Sequence, residues 1–138
     1  MDSVRIVLYN ETQPWHFFAL SEADDPTTIK LPGGKFEQTE AGEVETPDQA
    51  AARELMQELG LTPAQIGLIP VGELVNDDGV SKRYIYAGSA HPDLLQPSEE
   101  VYEVRELTEA SIPEGKNRNH MLAALALSNT VWGNRLSS

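Results

Sequence analysis

The chain opens with an apolar, β-branched run, Val4–Tyr9 (VRIVLY), that predicts a strand. Trp15–Leu20 (WHFFAL) predicts its hairpin partner across the turn signal Asn10-Glu11-Thr12-Gln13-Pro14. Ser21–Pro26 (SEADDP) reads as a polar loop, and Thr28–Leu31 (TIKL) as a short strand running into Pro32-Gly33-Gly34, where the backbone must change course. A helix follows. Thr46-Pro47-Asp48-Gln49 supplies an N-cap hydroxyl, a proline at the first helical position and a capping-box glutamine. Ala51, Ala52, Leu55, Met56 and Leu59 recur as its apolar stripe, and Gly60 stops it. Ile69–Val75 and Arg83–Ala87 predict two strands joined through Asp78-Gly79, with Gly72 a candidate bulge. Val101–Leu107 (VYEVREL) alternates as a further strand. The last helix is expected from Arg118 or Asn119 to about Val131, with Met121, Leu122, Leu125 and Ala126 in its stripe.

This order predicts an α/β (α+β) fold, a mixed sheet with helices packed against it, not the regular alternation of a doubly wound sheet. At 138 residues the chain suits one domain spanning 1–138. The net charge of -12, from 22 acidic and 10 basic side chains, sets the overall field against a nucleic-acid polymer or an anionic membrane. A small anionic substrate stays open, because divalent cations reverse the local potential of an acidic site. The absence of cysteine removes disulfides, thiolate catalysis and thiolate zinc sites. The start, MDSVRIVLYNE, has no signal-peptide pattern, and no run approaches ~18 apolar residues, so a soluble cytoplasmic protein is expected.

The chemistry concentrates between Leu31 and Leu61. Glu54 and Glu58 stand one helical turn apart with Gln57 beside them, so all three are expected to project from one face. Two carboxylates at this spacing repel each other, and a cation or strong solvation offsets the cost. On spacing alone the ordinary reading is a solvated helix face. The surroundings favour a site: Gly33-Gly34 lets backbone approach a ligand closely, and the loop after it carries Glu37, Glu40, Glu43 and Glu45 toward the helix. Hard oxygen ligands of this kind suit Mg²⁺ or Mn²⁺, completed by water and phosphate oxygens.

Arg53-Glu54-Leu55-Met56-Gln57-Glu58-Leu59-Gly60-Leu61 resembles the second half of the Nudix box, Arg-Glu-aliphatic-any-Glu-Glu-any-Gly-aliphatic, at every defined position except Gln57. Glu45 keeps the required spacing to Arg53, and Gly33-Gly34-Lys35-Phe36-Glu37 is similar to the glycine opening. The order of elements around the box is also similar, so the resemblance covers most of the chain. Five extra residues separate Gly34 from Glu45 relative to the family pattern. Glu40 satisfies the glycine-to-glutamate spacing as well, and Glu45 is assigned the family's role.

The resemblance implies an α/β/α sandwich with a central mixed sheet, and a hydrolase that cleaves the pyrophosphate of a nucleoside diphosphate linked to another group. It implies Mg²⁺, with Mn²⁺ as a possible substitute, held by Glu54, Glu58, the Gly33 carbonyl and Gln57 as a neutral ligand. Glu54, Glu58 and a later acid, Glu100 or its neighbour Glu99, are the implied catalytic groups, and Gly34, Glu45, Arg53 and Gly60 the structural ones. Gln57 brings no charge where relatives commonly place a glutamate, so weaker metal affinity or one fewer ion is expected.

Lys35, Arg83 and Asn117 are candidate substrate-binding residues, and Lys82 could also pair with phosphate. The lysines and arginine also read as surface charges, and Asn117 or Asn119 as a cap of the last helix. Trp15, Phe17, Tyr84 and Tyr86 read as packing residues before base-stacking ones. His16, His91 and His120 show no ligand spacing. The partner expected is a small nucleotide, with the protein a monomer or homodimer. A Nudix-fold binding or regulatory module that lost catalysis through Gln57 is the competing function, and a plain acidic interaction domain a weaker one.

Overall fold

The computed structural model describes residues 1–99 and 101–136, with side chains left undescribed at 102 and 134–136. Its strands are β1 (Ser3–Asn10), β2 (Phe17–Glu22), β3 (Asp25–Lys30), β4 (Gly33–Lys35), β5 (Ile69–Val75), β6 (Lys82–Ala90) and β7 (Val101–Leu107). Its helices are α1 (Pro47–Leu59), α2 (Pro63–Ile66) and α3 (Arg118–Leu136). The seven strands form one sheet in the order β3-β2-β1-β6-β5, with β4 added to β1 and β7 to β2. β1 and β6 run parallel from Ser3↔Arg83 to Asn10↔Ala90, and the other pairs are antiparallel. The expected mixed sheet is present.

β1 is the central strand because its apolar residues serve both faces. Val4, Ile6 and Leu8 face a core closed by Ala50, Ala51, Leu55 and Leu59 of α1. Val7 and Tyr9 face a second core closed by Met121, Ala124, Leu125 and Trp132 of α3. The result is a helix, sheet, helix sandwich. Tyr9 locks α3 onto it, stacking on Trp132 at 4.8 Å and hydrogen-bonding Ser128 at 2.8 Å. None of the helices among the described residues is long and apolar enough to cross a membrane.

Several expectations need correction. Ser21–Pro26 is not a loop: β2 runs to Glu22 and β3 begins at Asp25, because β7 pairs along the whole of β2 and holds it extended. β6 extends to Ala90 alongside β1, and α3 continues beyond Val131 to Leu136. Met56 is 49% exposed, and Ala126 is exposed where Ala124 is buried. The Gly72 bulge is present as a register shift between Pro70 and Gly72.

Candidate active site

Helix α1 begins and ends where its local chemistry requires. Thr46 accepts the Gln49 N–H at 3.2 Å, and the Gln49 side chain accepts the Thr46 N–H at 3.0 Å. Gly60 closes the last turn at φ 67°, donating to the Met56 carbonyl. The loop before it folds back on itself. Gln38 bridges Val44, the Thr39 N–H donates to Glu43, and the Glu45 N–H donates to Glu37. Glu40 therefore sits exposed near the tip, while Glu45 returns to the helix and is 9% exposed.

Arg53 is the hub that Glu45 reaches. Its Nε and Nη2 donate to the two Glu45 oxygens at 2.8 and 2.9 Å, a bidentate pair. Nη2 also donates to the Lys35 carbonyl at 3.0 Å. Nη1 faces Glu54 at 2.8 Å, Glu37 at 2.6 Å and the Gln57 amide oxygen at 3.1 Å. Its bonds to Glu45 hold the guanidinium proton more tightly than usual. The same bonds, with the Glu37 N–H, lower the Glu45 carboxyl from its ordinary value against the opposing effect of burial.

The two glycines serve different ends. In the antiparallel β1–β4 pair, ladder bonds fall at Ile6/Pro32 and Phe36/Asp2, so the main-chain groups of Gly33 and Lys35 turn away from β1 toward α1. The Gly33 N–H meets Glu58 Oε1 at 2.8 Å. Gly33 adopts φ +139°, and a Cβ there would lie 2.1 Å from the Val4 carbonyl oxygen. Gly34 instead makes room for a carboxylate: a Cβ on it would lie 2.5 Å from Glu54 Oε1.

Glu54, Gln57 and Glu58 do not share one exposed face. Gln57 is exposed and leans on Arg53, whereas Glu58 is 4% exposed on the packed side of the helix. Burial pushes the Glu58 carboxyl up to about 7. The nearby Glu54 charge adds to this, and the Gly33 N–H, Lys30 and Arg5 oppose it. The described residues contain no group of three His, Cys, Asp or Glu able to hold a metal ion. Two hard carboxylates on successive turns of one helix, with a strand backbone alongside, still suit Mg²⁺. That ion keeps several waters and takes one or two carboxylates plus phosphate oxygens.

At the start of α3 is a cavity of about 210 Å³, and one of its lining residues, Arg5, feels the charges of Glu58 and Glu54. Lys35, Arg83 and Asn117, expected separately from sequence, line it together. Arg5, Lys30, Asn76 and His120 line it too and were missed. The available signal was a charge inside an apolar strand, Arg5 in VRIVLY and Lys30 in TIKL. Asn117 precedes α3, donating to the Ile29 carbonyl at 3.0 Å while its own carbonyl accepts the Met121 N–H.

Other candidates stand elsewhere. Asn119 is exposed and Lys82 pairs with Glu73 at 3.4 Å. Phe17 is core, Tyr84 stacks on Phe36, Tyr86 hydrogen-bonds Asp48, and Trp15 is 46% exposed on the surface. His16, His91 and His120 each lie beside an acid. Glu99 is exposed in the turn before β7, where the Ser98 N–H donates to the Glu58 main-chain carbonyl at 3.3 Å. Glu100 lies outside the described residues.

A model of the NUDIX domain matches residues 1–125. No curated protein matches the chain by sequence. Among solved structures, the chain is similar to a Caenorhabditis elegans Ap4A hydrolase, 19% identical with TM-score 0.69, over 96% of this chain and 99% of that one. It is similar to the Escherichia coli dihydroneopterin triphosphate pyrophosphohydrolase, 21% identical with TM-score 0.62, over 85% and 89%. It is also similar to the NUDIX domain of Shewanella oneidensis NrtR complexed with ADP ribose, 16% identical with TM-score 0.63, over 90% and 84%. At these identities the likeness is one of fold.

Proposed function

The chain belongs to the Nudix family, and from that premise we propose that it is a metal-dependent hydrolase cleaving the pyrophosphate of a nucleoside diphosphate linked to a second group. One observation carries the reading: Glu58 and Glu54 act by charge on Arg5 and Lys30, which line a cavity with Lys35 and Arg83, so that four of the ten basic residues of a chain of net charge -12 gather there. The carboxylate end suits a divalent ion, and the cationic end suits phosphate oxygens.

Glu54, Glu58, the Gly33 carbonyl and Gln57 as a neutral donor would hold Mg²⁺, or Mn²⁺ in its place. When bound, the ion neutralises charge that builds on the phosphoryl oxygens and acidifies water. Lys35 and Arg83 orient the phosphates by charge-assisted hydrogen bonds, and Asn117 holds the substrate's far side. Glu54, kept in position by Arg53 and given room by Gly34, orients the attacking water or takes its proton. Water adds at phosphorus as the bridging P–O bond breaks, giving two phosphate products. Glu45, Arg53 and Gly60 keep the frame, and Glu100, which precedes Val101 in the sequence, is the further acid. The substrate is a small nucleotide, neither a nucleic-acid polymer nor a membrane is a partner, and the protein acts as a monomer or homodimer.

The bond from Arg53 to Gln57 favours one other reading, a nucleotide-binding or regulatory module of the same fold. One assay separates the two. Purified protein with Mg²⁺ or Mn²⁺ is incubated with nucleoside triphosphates, dinucleoside polyphosphates, nucleotide sugars and ADP-ribose, and product release is measured. Metal-dependent turnover lost in Glu58→Gln supports the hydrolase; tight binding with no turnover of any substrate supports the module.

A further inference from the structure

Arg5 and Arg83 line the same cavity on adjacent strands, since β1 pairs with β6 as Ser3↔Arg83 and Arg5↔Ile85. Arg83 is 8% exposed. Their partners are neutral: Arg5 donates to the Leu31 carbonyl at 2.9 Å and Arg83 to the Asn76 amide oxygen at 2.7 Å. Among the described residues neither guanidinium makes an ion pair, and no acid lines the cavity. Burial lowers the proton affinity of both from the ordinary value; the charge of Glu58 opposes this at Arg5, the charge of Arg83 adds to it and Glu54 opposes it, while Asp77 opposes it at Arg83. Like charges gathered in a partly desolvated cavity are costly unless an anion sits between them.

Among the described residues, no Phe, Tyr or Trp that would stack a nucleobase lines this cavity. His120 lines it among the described residues, and Tyr84 and Tyr86 are engaged with Phe36 and Asp48. Lys116 lines an adjoining space that shares Arg5, Lys30 and Asn117 but also holds Glu22 and Asp25, with Lys30 paired to Glu22, while Arg5 and Arg83 remain without an ion pair among the described residues.

We propose that the cavity between Arg5 and Arg83 binds a phosphate group that the substrate carries in addition to its scissile pyrophosphate, so that the preferred substrates are phosphorylated nucleotide derivatives. This deepens the hydrolase reading and rests on it for the position of the pyrophosphate at Glu54 and Glu58. Arg83, presenting a fork held by Asn76, is the residue that selects the extra phosphate.

The test compares matched pairs differing by one phosphate: NADP against NAD, coenzyme A against dephospho-coenzyme A, and a nucleoside triphosphate against its diphosphate. Affinity is measured by calorimetry on chelator-treated protein, and kcat/KM with Mg²⁺. At least one pair is expected to favour the phosphate-bearing member by about tenfold or more, the range of a charged hydrogen-bonded contact. Arg83→Gln should bring that ratio near one, and Arg83→Lys should leave an intermediate ratio. Circular dichroism checks that both variants fold, and the wild-type ratios stand without them. Equal affinity and equal kcat/KM within every wild-type pair would overturn the inference while leaving a working hydrolase intact. A ratio unchanged in folded Arg83→Gln would overturn the role of Arg83. Discrimination in binding with no hydrolysis of any compound would sink the hydrolase reading and leave the phosphate subsite standing.

Discussion

Glu58 Oε1 accepts the Gly33 N–H at 2.8 Å across 25 positions of sequence, which fastens the middle of the site to the strand that precedes it. The bond turns Glu58 inward while Gln57, its neighbour, stays at the surface. A buried carboxyl supported by a single N–H and by charges that do not touch it is the group most sensitive to what else enters the site.

Metal-free protein should therefore lose stability between about pH 5 and pH 7.5. The folded value of Glu58, about 7, lies above its unfolded value of 4.5, so the folded state binds more protons in that interval. The contribution is complete below the unfolded value and lost as pH rises through the folded one, an effect of at most about 3 kcal/mol. Thermal unfolding in chelator across this range should show the fall, Glu58→Gln should flatten it, and Mg²⁺ should offset it. Glu58→Gln should also lower kcat by roughly 10²-fold or more.

Glu45 titrates in the opposite sense. Its bonds to Arg53 and the Glu37 N–H lower its folded value, so its contribution is present above the unfolded value and lost as pH falls through the folded one. Glu45→Gln should cost roughly 2 kcal/mol at neutral pH by leaving Arg53 without its bidentate partner, and should flatten the acid limb below about pH 5. Urea unfolding at pH 7 and pH 3.5 measures both; an equal cost at the two values would mean that charge is not what Glu45 contributes.

The adjacent glycines should respond differently to alanine. Gly33→Ala puts a methyl group against the Val4 carbonyl in a left-handed backbone conformation, a loss of about 3 kcal/mol or more in unfolding free energy. Gly34→Ala meets the end of the Glu54 side chain, which can move, so the fold should survive with less than about 1 kcal/mol lost. The displaced Glu54 should nonetheless reduce kcat by roughly tenfold or more. Melting temperatures and initial rates on the two variants separate these outcomes.

What sequence made legible is what local chemistry decides. Helix α1 begins at Pro47 and ends at Leu59 as expected, because its cap, proline and terminal glycine all act within a few residues, and β5 and β7 have their expected bounds. The same capping box recurs at Thr62-Pro63-Ala64-Gln65, yet α2 went unread because its four residues carry no periodicity. Met56 was misplaced because spacing alone does not fix which side of a helix packs. Contact with β4 turns Glu58 inward and leaves Met56 in solvent. Arg5 and Lys30 were missed because their meeting with Arg83 depends on the parallel pairing of β1 with β6, a long-range fact.

On the proposed hydrolase reading, Gln57 tunes metal affinity by the charge it does not carry. Its amide oxygen lies 3.1 Å from Arg53, which already bonds Glu45 and Glu54, so a carboxylate there would share a cation that has little charge left to neutralise. The added negative charge would then act mainly on an ion held by Glu54 and Glu58. Gln57→Glu should lower the Mg²⁺ concentration for half-maximal activity several-fold, since a charged ligand binds a hard cation more strongly than an amide does. Gln57→Ala, which removes the oxygen without adding charge, should raise that concentration modestly or leave it unchanged. Metal titrations of initial rate on the three proteins check the order. An unchanged or higher requirement in Gln57→Glu would mean that Arg53 takes up the new carboxylate completely, and that position 57 braces the arginine instead of tuning the metal.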